Sequence, residues 1–228
     1  MMITNLSVVV LIFATQLMNT CNALEKHSLQ TIIIQLRDLV NKTLFNFTDP
    51  KDKTAFGNWV EHSDNAENGG RSKATLVPLN GQNYQSAIFF YLLNRQTNGS
   101  TFAGVYEIHY IHDLPLYDGV EIDLHRRGLD SDFKLIFYAN CSNTRHCDSF
   151  ESHFKTTEER QLIQLPFNNL KQNFRGSDNS HSSHFVSGRA FRLGIQAYTG
   201  INGPNNQCGA GSIEIHYIRV YRLKPTRH

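Results

Sequence analysis

Charge of one sign is what this sequence most lacks. Its 22 Lys and Arg stand against 20 Asp and Glu, for a formal net charge of +2 over 228 residues. Nothing electrostatic therefore draws the chain to a polyanion, and nucleic acid is not expected as a partner. Several reaction motifs are also missing. There is no G-x-S-x-G elbow and no H-E-x-x-H pair, which removes the usual signatures of a serine hydrolase and a zinc peptidase. The glycine stretches "GAGSIE" and "GINGPN" lack the spacing of a nucleotide-binding loop. A zinc knuckle would want paired C-x-x-C ligands, which Cys141 and Cys147 do not supply. No cofactor and no metal site is read from the sequence, and His181 with His184 in a serine-rich loop makes only two ligands.

Long apolar runs are scarce as well. The one near the N-terminus, Leu6 to Met18, falls short of the ~20 residues of a membrane-spanning helix, so stable membrane insertion is not expected. It is followed by "CNA", and no charged side chain precedes Glu25. That arrangement fits a secretory signal peptide over residues 1–23, although the usual leading Lys or Arg is absent. Secretion is the expected fate, with a mitochondrial destination as the alternative. Asn41, Asn46, Asn98 and Asn140 each open an N-x-Ser/Thr triplet, which agrees with export and makes them N-glycosylation candidates. Beyond the leader, Cys141, Cys147 and Cys208 remain. In an oxidising compartment Cys141 and Cys147, flanking a short polar loop, are the natural disulfide pair; Cys147–Cys208 stays open.

What is present is enough for one domain with a core, at 40% hydrophobic and 11% aromatic residues. Leu29, Ile33, Leu36, Val40 and Leu44 recur at helical spacing, so one amphipathic helix is expected near 28–45, within an N-terminal helix and linker over 24–54. From Phe56 onward the period becomes two, in "FAGVYEIHYIH", "GVEIDLHRR", "FKLIFYAN", "RQLIQLP", "AFRLGIQAY" and "GSIEIHYIRVYRL". Short alternating runs divided by Gly, Asn and Pro turns predict an all-β sandwich or jelly roll over 55–224. Alternation places Tyr106, Ile108, Val120, Ile122, Leu124, Phe191, Leu193, Ile195, Ile213, Ile215 and Tyr217 on core faces. The opposite faces then carry Glu107, His109, Glu121, Asp123, His125, Arg192, Gln196, Glu214 and His216.

The stretches "FGNWVEHSDNAENGGRSKATL", "FAGVYEI", "DLPLYDGVEIDL", "IQLPFNNLKQNFRG" and "GSIEIHYIRVY" occur in an order that resembles the complex I intermediate-associated protein family. The resemblance runs from about Phe56 to Tyr221. It implies a galactose-binding-like jelly roll, related in shape to carbohydrate-binding modules, and brings no catalytic set with it. Trp59, Asp64, Gly69, Gly70, Arg71 and Ser72, then Asp113, Leu114, Tyr117, Asp118 and Gly119, then Leu165, Pro166, Phe167, Phe174, Arg175 and Gly176 match its landmarks. They read as positions that define the fold. The best-known relatives are mitochondrial assembly factors for respiratory complex I, from which an exported chain would be separated.

If the alternating strands are neighbours, their polar residues form one surface of carboxylates, imidazoles, Arg and Gln. That surface is either a solvated outer face or a shallow cleft whose donors and acceptors, with Tyr198, hold a glycan or a protein ligand. A glycosidase would need two carboxylates at a set separation, and nothing in the spacing selects a pair among Glu107, Glu121, Asp123 and Glu214. A non-enzymatic binding module is the expectation.

Overall fold

The computed structural model describes residues 41–64, 69–82, 84–96, 101–110, 114–129, 131–143, 146–174, 177–178, 190–199 and 207–223. The expected leader, and residues 28–40 of the expected helix, lie outside them.

Thirteen strands make up the described chain: β1 (Asn41–Asn46), β2 (Val60–Glu61), β3 (Lys73–Asn80), β4 (Gln85–Leu93), β5 (Thr101–Tyr110), β6 (Gly119–Arg126) and β7 (Asp132–Asn143) come first. Then follow β8 (His146–Lys155), β9 (Gln161–Pro166), β10 (Lys171–Phe174), β11 (Ser177–Asp178), β12 (Ala190–Thr199) and β13 (Gly209–Tyr221). They form two sheets. The first runs β3-β4-β13-β6-β9 with β1 also on β13, and the second runs β11-β10-β8-β7-β12-β5-β2. The architecture is the expected all-β sandwich of antiparallel sheets.

The core lies between the sheets, where one parity of each strand is apolar. Val120, Ile122 and Leu124 of β6 meet Ile213, Ile215, Ile218 and Val220 of β13, and Phe133, Leu135 and Phe137 of β7 meet Leu193 and Ile195 of β12; all are buried. Each such side chain contributes roughly 1.5–3 kcal/mol by leaving water. Pro78 lacks an amide hydrogen for a central ladder, and it sits on β3 at a sheet edge.

Several of the resemblance landmarks, among them Asp64, Gly70, Ser72, Asp118 and Phe167, hold the frame. Asp64 accepts from the Ser72 amide at 3.1 Å and from its hydroxyl at 2.8 Å, both buried. A Cβ on Gly70 would lie 2.1 Å from an Asp64 oxygen, so only glycine fits. The Asp118 amide donates to Tyr221, its carbonyl accepts from Phe167, and its carboxylate accepts from Leu223. One residue thus joins the start of β6, the end of β13 and the exit of β9.

Three expectations need correction. Residues 41–45, the end of the expected helix, lie in strand β1. Phe45 and Phe47 enter the core there, and the Phe47 amide donates to the His216 carbonyl at 3.0 Å. Sheet pairing and aromatic burial outweigh local helical spacing. Next, β5 is reversed. Ala103 and Val105 are buried on the parity that Glu107 shares, and Glu107 pairs with the core residue Leu193. Glu107 therefore faces inward, while Tyr106 faces out beneath Arg192. Finally, Tyr217 is not a core residue. The ladder between β13 and β6 slips between Ile215 and Tyr217, a β-bulge. The bulge turns both His216 and Tyr217 outward and gives the next core positions to Ile218 and Val220.

A cleft on the outer face of the first sheet

The outer surface of β6 and β13 is ordered by register. Glu214 lies opposite His125, Tyr217 opposite Asp123 and Arg219 opposite Glu121. On the far side of β6, Gln164 stands opposite Glu121. Residues facing one another across an antiparallel ladder point to the same side, so sheet pairing gathers these groups without help from loops.

Each carboxylate there is already engaged. Arg160 grips Asp123 with both prongs, Nε to Oδ1 at 2.8 Å and Nη2 to Oδ2 at 2.7 Å. This bond and charge hold the Arg160 pKa above its ordinary value. Glu121 accepts from Gln164 at 3.1 Å and from Arg219, whose guanidinium also lies 4.7 Å from the centre of the Tyr217 ring. Burial, followed by the Asp123 charge, raises the Tyr217 pKa.

Glu214 is as enclosed as Glu121, each at 2% exposure. Its Oε1 accepts from Ser86 Oγ at 2.8 Å, and its Oε2 accepts from Arg127 Nε at 3.0 Å and Nη2 at 2.7 Å. Burial alone would raise its pKa, but the bonds from Arg127 and Ser86 and the neighbouring charges outweigh it and hold the group below its ordinary value. His125 Nε2 lies 3.3 Å from the same Oε2. The rings of His125 and His216 stack with centres 5.8 Å apart. Burial, then Arg127, lowers the His125 pKa; burial, then Arg160, lowers that of His216. Both imidazoles are thus favoured in the neutral form. The ligand atoms of His125, Glu214 and His216 lie within 4.8 Å of one another.

Above these groups opens a cleft of about 630 Å³. His125, Glu214 and His216 form its floor, Thr48 and Gln85 line it from the β1 and β4 side, and Arg127, Glu158 and Arg160 from the β6 and β9 side. Tyr84, 57% exposed, supplies an aromatic ring at the rim. Gln85 is fixed by bonds from its Nε2 to the Phe47 and Asp49 carbonyls at 3.1 and 3.2 Å. The arrangement offers positioned donors and acceptors to a polar ligand, while its acids are occupied in holding arginines.

The nine residues expected on one polar surface do not share one. Glu121, Asp123, His125, Glu214 and His216 meet on this face of the first sheet. Arg192 and Gln196 lie on the outer face of the second, where Arg192 stacks on Tyr106 at 5.0 Å and Gln196 donates to Tyr138 at 3.5 Å. Tyr198 shares that face and bonds His153 at 2.6 Å. Glu107 is inward; its Oε2 is buried without a hydrogen-bond partner, and burial raises its pKa to about 7. The His109 backbone pairs with Phe191, and its side chain lies outside the described residues. So do the side chains of Cys141, Cys147 and Asn140, and all of Asn98, His181 and His184. Cys208 is a free, exposed thiol. Asn41 and Asn46 lie on β1, and Asn46 Oδ1 accepts from the amide and hydroxyl of Thr48.

Sequence reading missed Thr48, Tyr84, Gln85, Arg127, Glu158 and Arg160. Most stand at strand ends or in turns, where alternation carries no information. Arg127 had a visible signal, since it directly follows the polar-faced strand in "VEIDLHRR".

Among solved structures, the chain is similar to a family 11 carbohydrate-binding module from Clostridium thermocellum in complex with a β-1,3-1,4-mixed-linked tetrasaccharide. Identity is 12%, the TM-score is 0.59, and 81% of this chain and 96% of that chain are covered. It is also similar to the family 11 module of a cellulosomal cellulase of the same organism, at 11% identity and TM-score 0.60, covering 82% of this chain and 98% of that one. At such identities the likeness is one of fold. Comparison with curated proteins gives no match. The profile of complex I intermediate-associated protein 30 matches residues 45–215, a span from β1 into β13 that takes in strands of both sheets and every cleft-lining residue but His216, and the chain belongs to that family.

Proposed function

We propose that this chain is a secreted, glycosylated, non-enzymatic binding module whose ligand, a glycan or a protein partner, occupies the cleft on the first sheet. The observation that carries the reading is the cleft itself: its polar groups are fixed by Ser86, Arg127 and Arg160, and Tyr84 offers a ring on which a sugar can stack. Neutral sugars present many hydroxyls and few charges, and they suit rigid mixed donors and acceptors. The shared fold with modules that bind glycans supports the same reading. The occupied carboxylates favour binding over hydrolysis.

The test is a glycan array followed by titration calorimetry on the full chain, beginning with mixed-linked β-glucan oligosaccharides. Arg160→Ala and Tyr84→Ala should each weaken binding about tenfold or more while the fold is kept. An array and an extracellular pull-down that both return nothing would count against the module.

Family membership favours a second reading, a chaperone-like assembly factor for respiratory complex I in mitochondria. Localisation of a tagged full-length protein, with its mature N-terminus sequenced, separates the two. Cleavage after Ala23 and a protein in the medium sensitive to peptide N-glycosidase support the first; a mitochondrial protein supports the second.

A further inference from the structure

Two imidazoles and a carboxylate converge in the cleft floor by the period and register of two strands alone. Glu214 and His216 are two apart on β13, and His125 faces Glu214 across the ladder from β6. His125 Nε2 and Glu214 Oε2 are 3.3 Å apart, close to the ~3.4 Å edge of a tetrahedron of ligands about 2.05 Å from a zinc ion. The remaining edges lie within 4.8 Å, so the rings need to close by at most about 1.4 Å.

The polar inventory points the same way. His216 is 9% exposed, and its Nε2 is buried without a hydrogen-bond partner. An unsatisfied buried nitrogen costs about 1–3 kcal/mol, which coordination would offset. The rings are favoured neutral, the form that binds metals. Ser86 orients the Glu214 carboxylate through Oε1, as outer groups orient ligands in metal sites, and Arg127 donates to Oε2, the oxygen that also faces His125. Arg160, the other nearby cation, is matched by Asp123.

We propose that His125, Glu214 and His216 bind one divalent cation of the zinc type, with a further coordination position open to the cleft. Two nitrogen donors and one oxygen suit zinc, cobalt, nickel or copper; calcium and magnesium want oxygen alone. The position facing the cleft takes water or an oxygen of whatever occupies it. Cation binding requires no glycan or protein ligand, so this site stands or falls separately from the binding-module reading.

The test uses the full chain stripped with a chelator and titrated with zinc chloride near neutral pH. One equivalent should bind at micromolar or lower concentration and raise Tm over the chelated protein. Cobalt should bind with visible absorption bands, and calcium should leave Tm unchanged. His216→Ala and His125→Asn, checked by circular dichroism, should each lose at least about tenfold in affinity. The double change His181→Ala with His184→Ala should lose nothing. The proposal is overturned if the wild-type chain takes up no zinc and shows no Tm shift. It is equally overturned if either folded cleft variant binds as well as wild type, or if the loop double change removes binding.

Discussion

Glu107 shows how much one side chain's direction can decide. It pairs with Leu193 on the inner face, and burial lifts its pKa from 4.5 to about 7. The folded state therefore holds this proton more tightly than the unfolded state. Stability from this group is complete below about pH 4.5 and is lost as pH rises through about 7. At about 1.4 kcal/mol per unit the loss amounts to about 3 kcal/mol above pH 7. Glu107→Gln should therefore gain about that much stability at pH 8 and little at pH 4. Urea unfolding at both pH values checks it, and an unchanged pH slope would show that Glu107 is not the group responsible. The sequence pointed this residue the wrong way because both parities of "FAGVYEIHY" carry apolar groups. Tyr106 belongs to a half-buried outer aromatic face instead, with His62 and Tyr138 about its ring. In β6 only one parity is apolar, and there alternation identified Val120, Ile122 and Leu124 as core and Glu121, Asp123 and His125 as outward.

At the scale of the element, the bulge in β13 sets the composition of the cleft face. Because His216 is the extra residue, its deletion leaves Ile215 inward, Tyr217 outward and Ile218 inward. A chain without His216 should fold with its core stripe intact, losing chiefly the bond from Phe47 and the proposed cation site. Deletion of Arg219 gives the opposite result, since Val220 and Tyr221 would then exchange faces. Its cost should exceed that of the His216 deletion by ~2 kcal/mol or more, from Val220 alone; thermal melts of the two deletions compare them directly. No sequence signal marked the bulge, because "SIEIHYIRVY" alternates acceptably in either register. Nor did period two reveal β4, whose "AIFFYLL" is a continuous apolar run. Phe89 and Tyr91 there are core, while Phe90 and Leu92 remain exposed on the other face.

Taken whole, the molecule has two polar outer faces where the sequence suggested one. Alternation tells which residues of a strand point together, but it does not give the order of strands across a sheet. That order puts β6 beside β13 and β12 beside β5, in different sheets. The two faces can be told apart by experiment. Tyr106→Ala, on the second sheet, should leave ligand binding at the cleft within about twofold of wild type, and Tyr84→Ala should not. Equal losses from both changes would move the site or extend it to the other side.

Trp59 is the chain's single tryptophan. Its indole nitrogen donates to the Ala55 carbonyl at 3.0 Å, and its ring meets Phe45 at 5.0 Å and Phe47 at 6.3 Å. The protein therefore carries a built-in optical probe of β1. Because β1 is also tied to the carbonyl of His216, a red-shifted emission that precedes loss of the sheet signal would report that the cleft floor has lost its support while the sandwich still stands.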